Sequence, residues 1–248
     1  MFNFFSKSKQ GTSSGFDYSL LGTDMHSHLL PGIDDGSPSL DVSLELIRGM
    51  AGLGYKKLIT TPHIMWDMYK NTPEIINESL KKLQSAVRNE GINIEIQAAA
   101  EYFLDEYVEQ LLSKKEPLLT LDGKMVLVEF SLAFPAHGLK DMLFEMQMQG
   151  YLPVIAHPER YLYLETTKDF YDELKDIGCL FQLNLLSLGN HYGKSVNTLA
   201  HYLAKKGYYD LIGTDLHHIR HLAALKQMHL DSTFKTLLDS GLIRNAAL

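Results

Sequence analysis

The sequence predicts an α/β fold in which helices cover a parallel β-sheet. Apolar runs typical of strands alternate with amphipathic stretches typical of helices along almost the whole chain, which is the pattern of repeated β-α units. Most strand-like runs are apolar throughout, as in strands that are buried on both faces. No linker rich in Pro, Gly or Ser interrupts the chain after residue 15, so we predict one folded domain. The alternation alone fits both a closed barrel and an open doubly wound sheet.

Seven apolar runs define the predicted strands, and with the helices between them they make about seven β-α units. The runs are Leu21–His26, Lys57–Thr61, Ile94–Glu101, Lys124–Phe130, Leu152–Ala156, Cys179–Asn184 and Leu211–Thr214. Their length and apolar content match strands rather than longer helices.

The predicted helices follow the strands and carry recognisable start signals. The first spans Pro38–Leu53, with apolar residues at helical spacing and Ser37 as the expected N-cap. The second spans Pro73–Asn89, where Thr72 is the expected N-cap and proline takes the first helical position. Further helices are predicted at Leu104–Leu112, Leu139–Gln149, Lys168–Ile177, Ser195–Lys206 and in the C-terminal stretch.

Composition and charge narrow the class of protein. The 248 residues are 45% hydrophobic and 21% charged, which is ordinary for a globular protein with a sizeable core. The formal net charge of −7 argues against a broad nucleic-acid-binding surface. The one cysteine, Cys179, cannot form an internal disulfide, so a reduced, cytoplasmic setting is expected. No apolar run approaches the roughly 18 residues that span a bilayer.

The N-terminal segment differs in composition from the rest of the chain. Residues 6–15 are rich in Ser, Gly and Lys, so we predict a flexible tail over residues 1–18 and a folded domain over residues 19–248. The alternative is a docking segment that uses Phe2, Phe4 and Phe5.

Residues of types that commonly bind metal ions lie at or just after the C-terminal ends of six of the seven predicted strands. They are His26, His28, His63, Glu101, Glu129, His157, Asp215 and His217, and Asp35 follows the first strand in the loop PGIDDG. The carboxyl ends of parallel strands open onto one face, so we expect these nine side chains to converge. Imidazole suits zinc, iron and manganese, while carboxylates favour harder ions and can bridge two of them. Any single member could instead be a capping or loop residue.

The motifs HSHLLPGIDDG, ITTPH, LVEF, GYLPVIAHPER and TDLH occur in this order. Together they resemble the polymerase-and-histidinol-phosphatase (PHP) superfamily, and within it the bacterial tyrosine phosphatases of capsule and exopolysaccharide synthesis. The resemblance covers roughly residues 20–245. It implies a distorted, TIM-like (β/α)7 barrel that holds three divalent metal ions, often manganese, with iron, zinc or magnesium as alternatives.

The resemblance also implies how the ligands divide. His26, His28, Glu101 and Asp215 correspond to the ligands of one metal ion. Glu101, Glu129 and His157 correspond to those of a second, with Glu101 bridging. Asp35, His63 and His217 correspond to those of the third.

The implied reaction is hydrolysis of a phosphate ester by metal-activated water. Three divalent ions would give the pocket a net charge of about +2, which attracts a phosphate dianion. Arg160 is the expected phosphate ligand, since its planar fork binds oxygens in pairs, although a salt bridge to Glu159 or another acid is an alternative. Relatives carry another arginine a few residues beyond D-x-H, and Arg220 lies near that position. Where some relatives have arginines after the TPH-like histidine, this chain has IMWDMYK.

Other phosphatase chemistries do not fit the sequence. The cysteine-dependent class needs C-x5-R, but the residue six positions after Cys179 is Leu185. No D-x-D motif and no phosphate-binding loop of the G-x-x-x-x-G-K-[ST] type are present. We therefore read Cys179 as a small buried hydrophobic residue.

Three functions remain open. The first is a protein-tyrosine phosphatase that acts on the tyrosine-rich tail of a bacterial tyrosine kinase, and the resemblance favours it. The second is a small-molecule phosphomonoesterase, such as one acting on histidinol phosphate. The third is a binding or regulatory module that keeps a structural metal site. The oligomeric state and the native metal stay open.

The sequence connects several further residues with the site less directly than the nine candidate ligands. Most of the other histidines, such as His137, are read as surface or loop residues, while His218 and His221 are candidates for touching substrate. Trp66 and Tyr69 are candidates for stacking on a phosphotyrosine ring, with core or lid packing as the alternative.

Overall fold

The structure is a computed structural model that describes residues 18–134, 138–229 and 231–248. Most of the predicted tail lies outside these ranges, as do Phe2, Phe4, Phe5 and His137. The domain boundary near residue 18 therefore stays a prediction.

All strand pairings in the described part of the chain are parallel. The strands are β1 (Thr23–Asp24), β2 (Lys57–Thr60), β3 (His63–Ile64), β4 (Glu95–Ala98), β5 (Glu101–Phe103), β6 (Met125–Glu129), β7 (Leu152–Ala156), β8 (Leu180–Asn184) and β9 (Tyr209–Gly213). They form a three-stranded sheet in the order β1-β2-β4 and a six-stranded sheet in the order β3-β5-β6-β7-β8-β9. The predicted α/β fold with parallel strands is confirmed.

Helices lie between the strands. They are α1 (Leu40–Leu53), α2 (Pro73–Asn89), α3 (Glu106–Lys114), α4 (Leu139–Met148), α5 (Asp169–Asp176), α6 (Leu185–Leu188), α7 (Lys194–Lys206), α8 (Ile219–Gln227) and α9 (Ser232–Asp239). Short 3-10 turns cover Tyr18–Leu20, Pro158–Arg160, Leu162–Leu164 and Asn245–Ala247. None of the described helices is both long and apolar enough to cross a membrane.

Two predicted strands differ from the structure. The first, predicted over Leu21–His26, is reduced to β1. The third, predicted over Ile94–Glu101, divides into β4 and β5, which belong to different sheets. Pro62 explains this break, because it has no backbone N–H and interrupts the neighbouring ladder between β2 and β3.

The start of α1 also differs from the prediction. The N-cap is Ser39, whose side chain accepts a hydrogen bond from the Val42 N–H at 3.4 Å. Ser37 was wrong as a cap because its backbone closes a loop instead: its N–H donates to the His28 carbonyl at 3.0 Å, and its carbonyl accepts from the Gly32 N–H at 2.8 Å. The predicted cap of α2 is confirmed, with Thr72 accepting from Ile75.

The central strands of the six-stranded sheet are buried on both faces, as predicted, whereas β4 of the smaller sheet exposes Glu95 and Gln97. Every residue of β6 and β8 is buried. One apolar cluster lies between the helices and the strands. A smaller second cluster joins side chains from β2, β6, β7, β8 and β9, with Ile59, Leu127, Val154 and Leu211 among them. Cys179 is buried, and burial raises the pKa of its thiol to about 12, which excludes it as a nucleophile near neutral pH.

Candidate metal centre

The nine predicted ligand residues lie together at the carboxyl ends of the strands. Seven of them line one cavity of about 570 Å³: Asp35, His63, Glu101, Glu129, His157, Asp215 and His217. His26 and His28, which follow β1, are fully buried beneath it. The convergence that the strand-end positions predicted is therefore present.

Glu101 lies at the centre of this cluster. Its Oε2 atom is 3.1 Å from His26 Nε2, 3.3 Å from His28 Nε2 and 3.3 Å from His63 Nδ1. Its Oε1 atom is 3.3 Å from His157 Nε2. A carboxylate that faces four imidazoles with two oxygens is placed to bridge cations.

Two carboxylates flank Glu101 on either side. Asp215 Oδ1 lies 3.3 Å from His26 Nε2 and 3.5 Å from His28 Nε2. Glu129 Oε1 lies 3.5 Å from His157 Nε2. Asp215 and Glu129 thus each place a carboxylate oxygen beside the imidazoles that surround Glu101, as expected of neighbouring cation sites.

A third group lies nearer the cavity mouth. Asp35 Oδ1 is 3.5 Å from His63 Nε2 and 3.6 Å from His217 Nε2. The His217 ring stacks on His28, with ring centroids 3.9 Å apart. Half of the Asp35 side chain is exposed, so this group is the most open to solvent.

Potential ligand atoms lie within 4.8 Å of one another in four sets, which share members. The sets are His28–Asp35–His63–His217, His26–His28–Glu101, His26–His157–Asp215 and His63–Glu101–Glu129. Three buried atoms of the cluster, His63 Nδ1, Glu101 Oε1 and His157 Nδ1, make no hydrogen bond within the described part of the chain. Buried polar atoms normally have a hydrogen-bond partner, so a cluster of ligand-type side chains that lacks some of these partners fits bound cations.

The pKa shifts of the clustered groups also favour bound cations. Burial, and then the charge of Glu101, raise the pKa of Glu129 well above its usual range. Burial favours neutral His26, but the charges of Glu101 and Asp215 outweigh it and raise the pKa of His26 to about 9. The charged form of Glu129 is thus poorly stabilised by the protein groups around it, and a divalent cation would relieve this.

The backbone holds these groups in uncommon conformations. His157 and Asp215 have φ values of 33° and 52°, in the left-handed region that non-glycine residues seldom adopt. Two glycines permit close approach to the first histidine pair. A Cβ at Gly36 would lie 2.3 Å from the His28 carbonyl oxygen, and one at Gly213 would lie 2.6 Å from His26 Cβ.

Residues outside the predicted set orient the ligands. Gln182 Oε1 lies 2.9 Å from His26 Nδ1 and accepts a hydrogen bond from the His157 N–H at 3.1 Å. Asp34 Oδ2 lies 2.8 Å from His28 Nδ1, and the Asn184 amide donates to Asp215 Oδ2 at 3.0 Å. Such contacts fix the tautomer and direction of a metal-binding imidazole.

Gln182 and Asn184 were not predicted. They belong to β8, which corresponds to the one predicted strand without a ligand. Their polarity inside an otherwise apolar run, FQLN, was the available signal.

Arg160 and Arg220 have different positions. Arg160 lines the cavity and donates to Asp215 Oδ2 at 2.8 Å, while its guanidinium carbon lies 4.9 Å from the Tyr192 ring centroid. Glu159, the alternative partner, instead accepts from the Asn184 N–H, Ser187 and Tyr209. Arg220 is exposed at the start of α8 and does not line the cavity.

Of the four weaker candidates for substrate contact, three line the cavity and one does not. His218, His221 and Tyr69 line the cavity, and Tyr69 stacks on His63 with centroids 5.6 Å apart. Trp66 does not line it and stacks on Tyr107 at 3.9 Å.

The chain matches known proteins over most of its length. A family model described as capsular polysaccharide synthesis, CpsB/CapC, matches residues 22–230. Tyrosine-protein phosphatase YwqE of Bacillus subtilis is 29% identical over 197 residues, which are 79% of this chain and 78% of that protein. Tyrosine-protein phosphatase CpsB of Streptococcus agalactiae is 30% identical over 203 residues, 79% of this chain and 83% of that protein.

A solved structure agrees with these relatives. It comes from crystal structures of YwqE from Bacillus subtilis and CpsB from Streptococcus pneumoniae, described as unique metal-dependent tyrosine phosphatases. It matches with a TM-score of 0.76 at 26% identity and covers 90% of this chain and 94% of that one. Fold, sequence and the clustered ligands agree, and the chain belongs to the CpsB/CapC family of capsular polysaccharide synthesis proteins.

Proposed function

We propose that this protein is a metal-dependent protein-tyrosine phosphatase that hydrolyses phosphotyrosine in a bacterial protein. The observation that carries the proposal is one cluster of four carboxylates and five histidines, in and directly beneath a cavity that Arg160 also lines. The relatives named as tyrosine-protein phosphatases support the same reaction. The family's connection with capsule synthesis supports the tyrosine-rich tail of a bacterial tyrosine kinase as the substrate.

The fold that carries this site is a distorted (β/α)7 barrel formed by residues 19–248. Taking β2 with β3, and β4 with β5, as interrupted single strands leaves seven strand positions. A parallel bridge between Ser27 and Leu216 supports closure, since it joins the segments that follow β1 and β9. The His28 N–H donates to the Leu216 carbonyl at 2.9 Å, and the Asp215 N–H donates to the His26 carbonyl at 2.8 Å.

The cavity would hold three divalent ions, with manganese as the first choice. His26, His28, Glu101 and Asp215 would hold one, and Glu101, Glu129 and His157 a second. Asp35, His63 and His217 would hold the third. The mixture of imidazole and carboxylate suits manganese, iron or zinc better than magnesium, which prefers oxygen ligands.

The protein's own groups bind and orient the phosphate. When bound, the cations supply Lewis-acid activation of water and neutralise phosphate charge. Arg160 lies at the cavity wall, and a guanidinium has five N–H donors, so it can hold Asp215 and phosphate oxygens together. Tyr192 supports the guanidinium from one side. Tyr69 and Phe103 line the same cavity and offer aromatic surface to a phenyl ring.

The test compares phosphate release from a tyrosine phosphopeptide and from histidinol phosphate, with manganese added. We expect a higher kcat/KM for the phosphopeptide, because Met68, Leu132, Tyr69 and Phe103 line the cavity and offer apolar and aromatic surface to a phenyl ring. Faster turnover of histidinol phosphate would instead assign a small-molecule phosphatase. Activity on neither substrate, with the metal retained, would favour a regulatory module.

Replacing Arg160 by lysine is expected to lower kcat/KM by about 10- to 100-fold. The substitution keeps the positive charge but loses the planar fork, and charge-assisted hydrogen bonds contribute about 1.5–3 kcal/mol. Steady-state kinetics on the phosphopeptide measure the loss. Arg88→Lys, at an exposed position in the last turn of α2, is the matched control. Equal effects of the two substitutions would remove Arg160 from the phosphate site.

A further inference from the structure

A second cavity opens beside the cavity of about 570 Å³ that the candidate metal ligands line, here called the metal pocket. This side groove has a volume of about 790 Å³ and shares three wall residues with the pocket: Met65, Phe103 and Ser131. A substrate seated in the pocket can therefore extend directly into the groove.

A short hairpin separates the two cavities. Met65 pairs with Tyr69, and the Tyr69 N–H donates to the Met65 carbonyl at 2.7 Å. Met68 and Tyr69 face the metal pocket, whereas Trp66 and Asp67 line the side groove. Residues on the two halves of this one turn therefore line different cavities.

The surface of the side groove is largely aromatic. Trp66 stacks on Tyr107 with centroids 3.9 Å apart and planes 15° apart. Phe103 joins them, and Phe134, which is 66% exposed, lies at the edge. These rings give the groove a wall on which an aliphatic stem or a planar cation can pack.

The charge of the side groove is opposite to that of a phosphate site. Its lining includes Asp67, Asp105, Glu106 and Glu109, and no Lys, Arg or His among the described residues; the nearby Lys70 Nζ lies 5.8 Å from the Trp66 ring centroid. Asp105 is engaged by the N–H groups of Trp66, Tyr107 and Val108. The other three carboxylates are exposed and take part in none of the salt bridges found in the described ranges.

We propose that the side groove binds the residue that flanks the phosphotyrosine and selects a lysine or arginine there. The inference rests on the proposed function and adds a sequence preference to it. A cationic side chain satisfies both features of the groove, since its charge pairs with the carboxylates and its stem or guanidinium packs on the aromatic rings. A second phosphotyrosine at the same position is rejected by like charge.

The shared wall limits which positions of a peptide reach the groove. An extended chain advances about 3.3 Å per residue, so the selected residue lies within two or three positions of the phosphotyrosine. Because the groove holds a residue that does not react, it acts on binding, and the preference is expected mainly in KM rather than kcat.

The experiment measures kcat/KM for otherwise identical peptides with one phosphotyrosine and with Lys, Gln, Glu or a second phosphotyrosine at each of the three nearest positions on either side. We expect a preference of about tenfold for Lys over Glu at one or more positions, since each exposed ion pair changes binding by a factor of roughly 1.5 to 5. The doubly phosphorylated peptide should be cleaved more slowly than the Gln peptide at the same position.

The variant Asp67→Asn/Glu109→Gln tests the groove itself. It should reduce the Lys-over-Glu preference to less than about threefold. Each ion pair between the peptide side chain and a groove carboxylate contributes separately, and the variant removes two of the carboxylates. Glu106 and Glu109 both lie in the first turn of α3, and Glu106 is left in place so that the helix keeps one stabilising acid there. Glu45→Gln, an exposed carboxylate on α1, is the matched control and should keep the full preference.

A small substrate separates this proposal from the proposed function. Activity on p-nitrophenyl phosphate, which does not reach the groove, should be unchanged in the double variant. Equal cleavage of all the peptides, or a preference that survives in the double variant, would overturn the groove proposal alone. Absence of activity on every phosphotyrosine peptide would overturn the proposed function.

Discussion

Replacing Glu101 by glutamine is expected to lower kcat/KM on a tyrosine phosphopeptide by at least about 10³-fold and to reduce the metal content of the purified protein. Glu101 is buried and lies within 3.3 Å of four imidazoles, so it would be shared by the proposed neighbouring cations. Glutamine has the same shape but no negative charge. Losing metal activation costs several kcal/mol of transition-state stabilisation, and each 1.36 kcal/mol is tenfold in rate.

Elemental analysis and steady-state kinetics on the same preparation measure both effects. Glu45→Gln makes the same chemical change at an exposed position of α1 and should retain activity and metal. Circular dichroism establishes that the Glu101→Gln protein is folded. A folded variant with full metal content and full activity would show that Glu101 does not bridge the ions.

Removing the metal ions by chelation is expected to abolish activity and to lower Tm by at least about 5 °C. Ions that bind only the folded state stabilise it by about 2.7 kcal/mol per site when free metal is 100 times Kd. A change of 1 kcal/mol shifts Tm by about 2–4 °C in a chain of this size. The loss is large here because Glu101, Glu129 and Asp215 would remain buried without their cations.

Dialysis against EDTA, followed by addition of single metals, measures the effect and identifies the metal that restores it. Differential scanning calorimetry should show Tm returning with manganese, iron or zinc. The Glu101→Gln protein serves as the control, since its Tm should respond less to the chelator. Equal activity with and without chelator, after the metal is shown to be gone, would contradict a metal-dependent mechanism.

The position of the nine candidate ligands could be predicted because the strand-end rule is local. A run such as ITTPH or LVEF marks both the strand and the residue that follows it, and parallel strands bring their carboxyl ends to one face. The structure accordingly places Glu101 within 3.5 Å of His26 and His157, which are 75 and 56 positions away along the chain.

Other features depended on contacts that no local pattern encodes. The division of the third strand follows from Pro62 on its neighbour, and the cap of α1 moves to Ser39 because Ser37 closes a loop with His28. The partner of Arg160 could not be chosen from the sequence. Glu159 is adjacent in the chain but faces Asn184 and Tyr209, whereas Asp215 reaches Arg160 from the end of β9.

The sequence by itself determined the fold class, the strand ends and the chemical character of the pocket, because hydrophobic periodicity and metal-binding side chains are properties of short segments. Only the tertiary structure decided which groups orient the ligands, that Arg160 rather than Arg220 lines the cavity, and that Trp66 and Tyr69 serve different cavities. These depend on the direction of each side chain at a shared face, and directions are set by packing between segments distant in the chain.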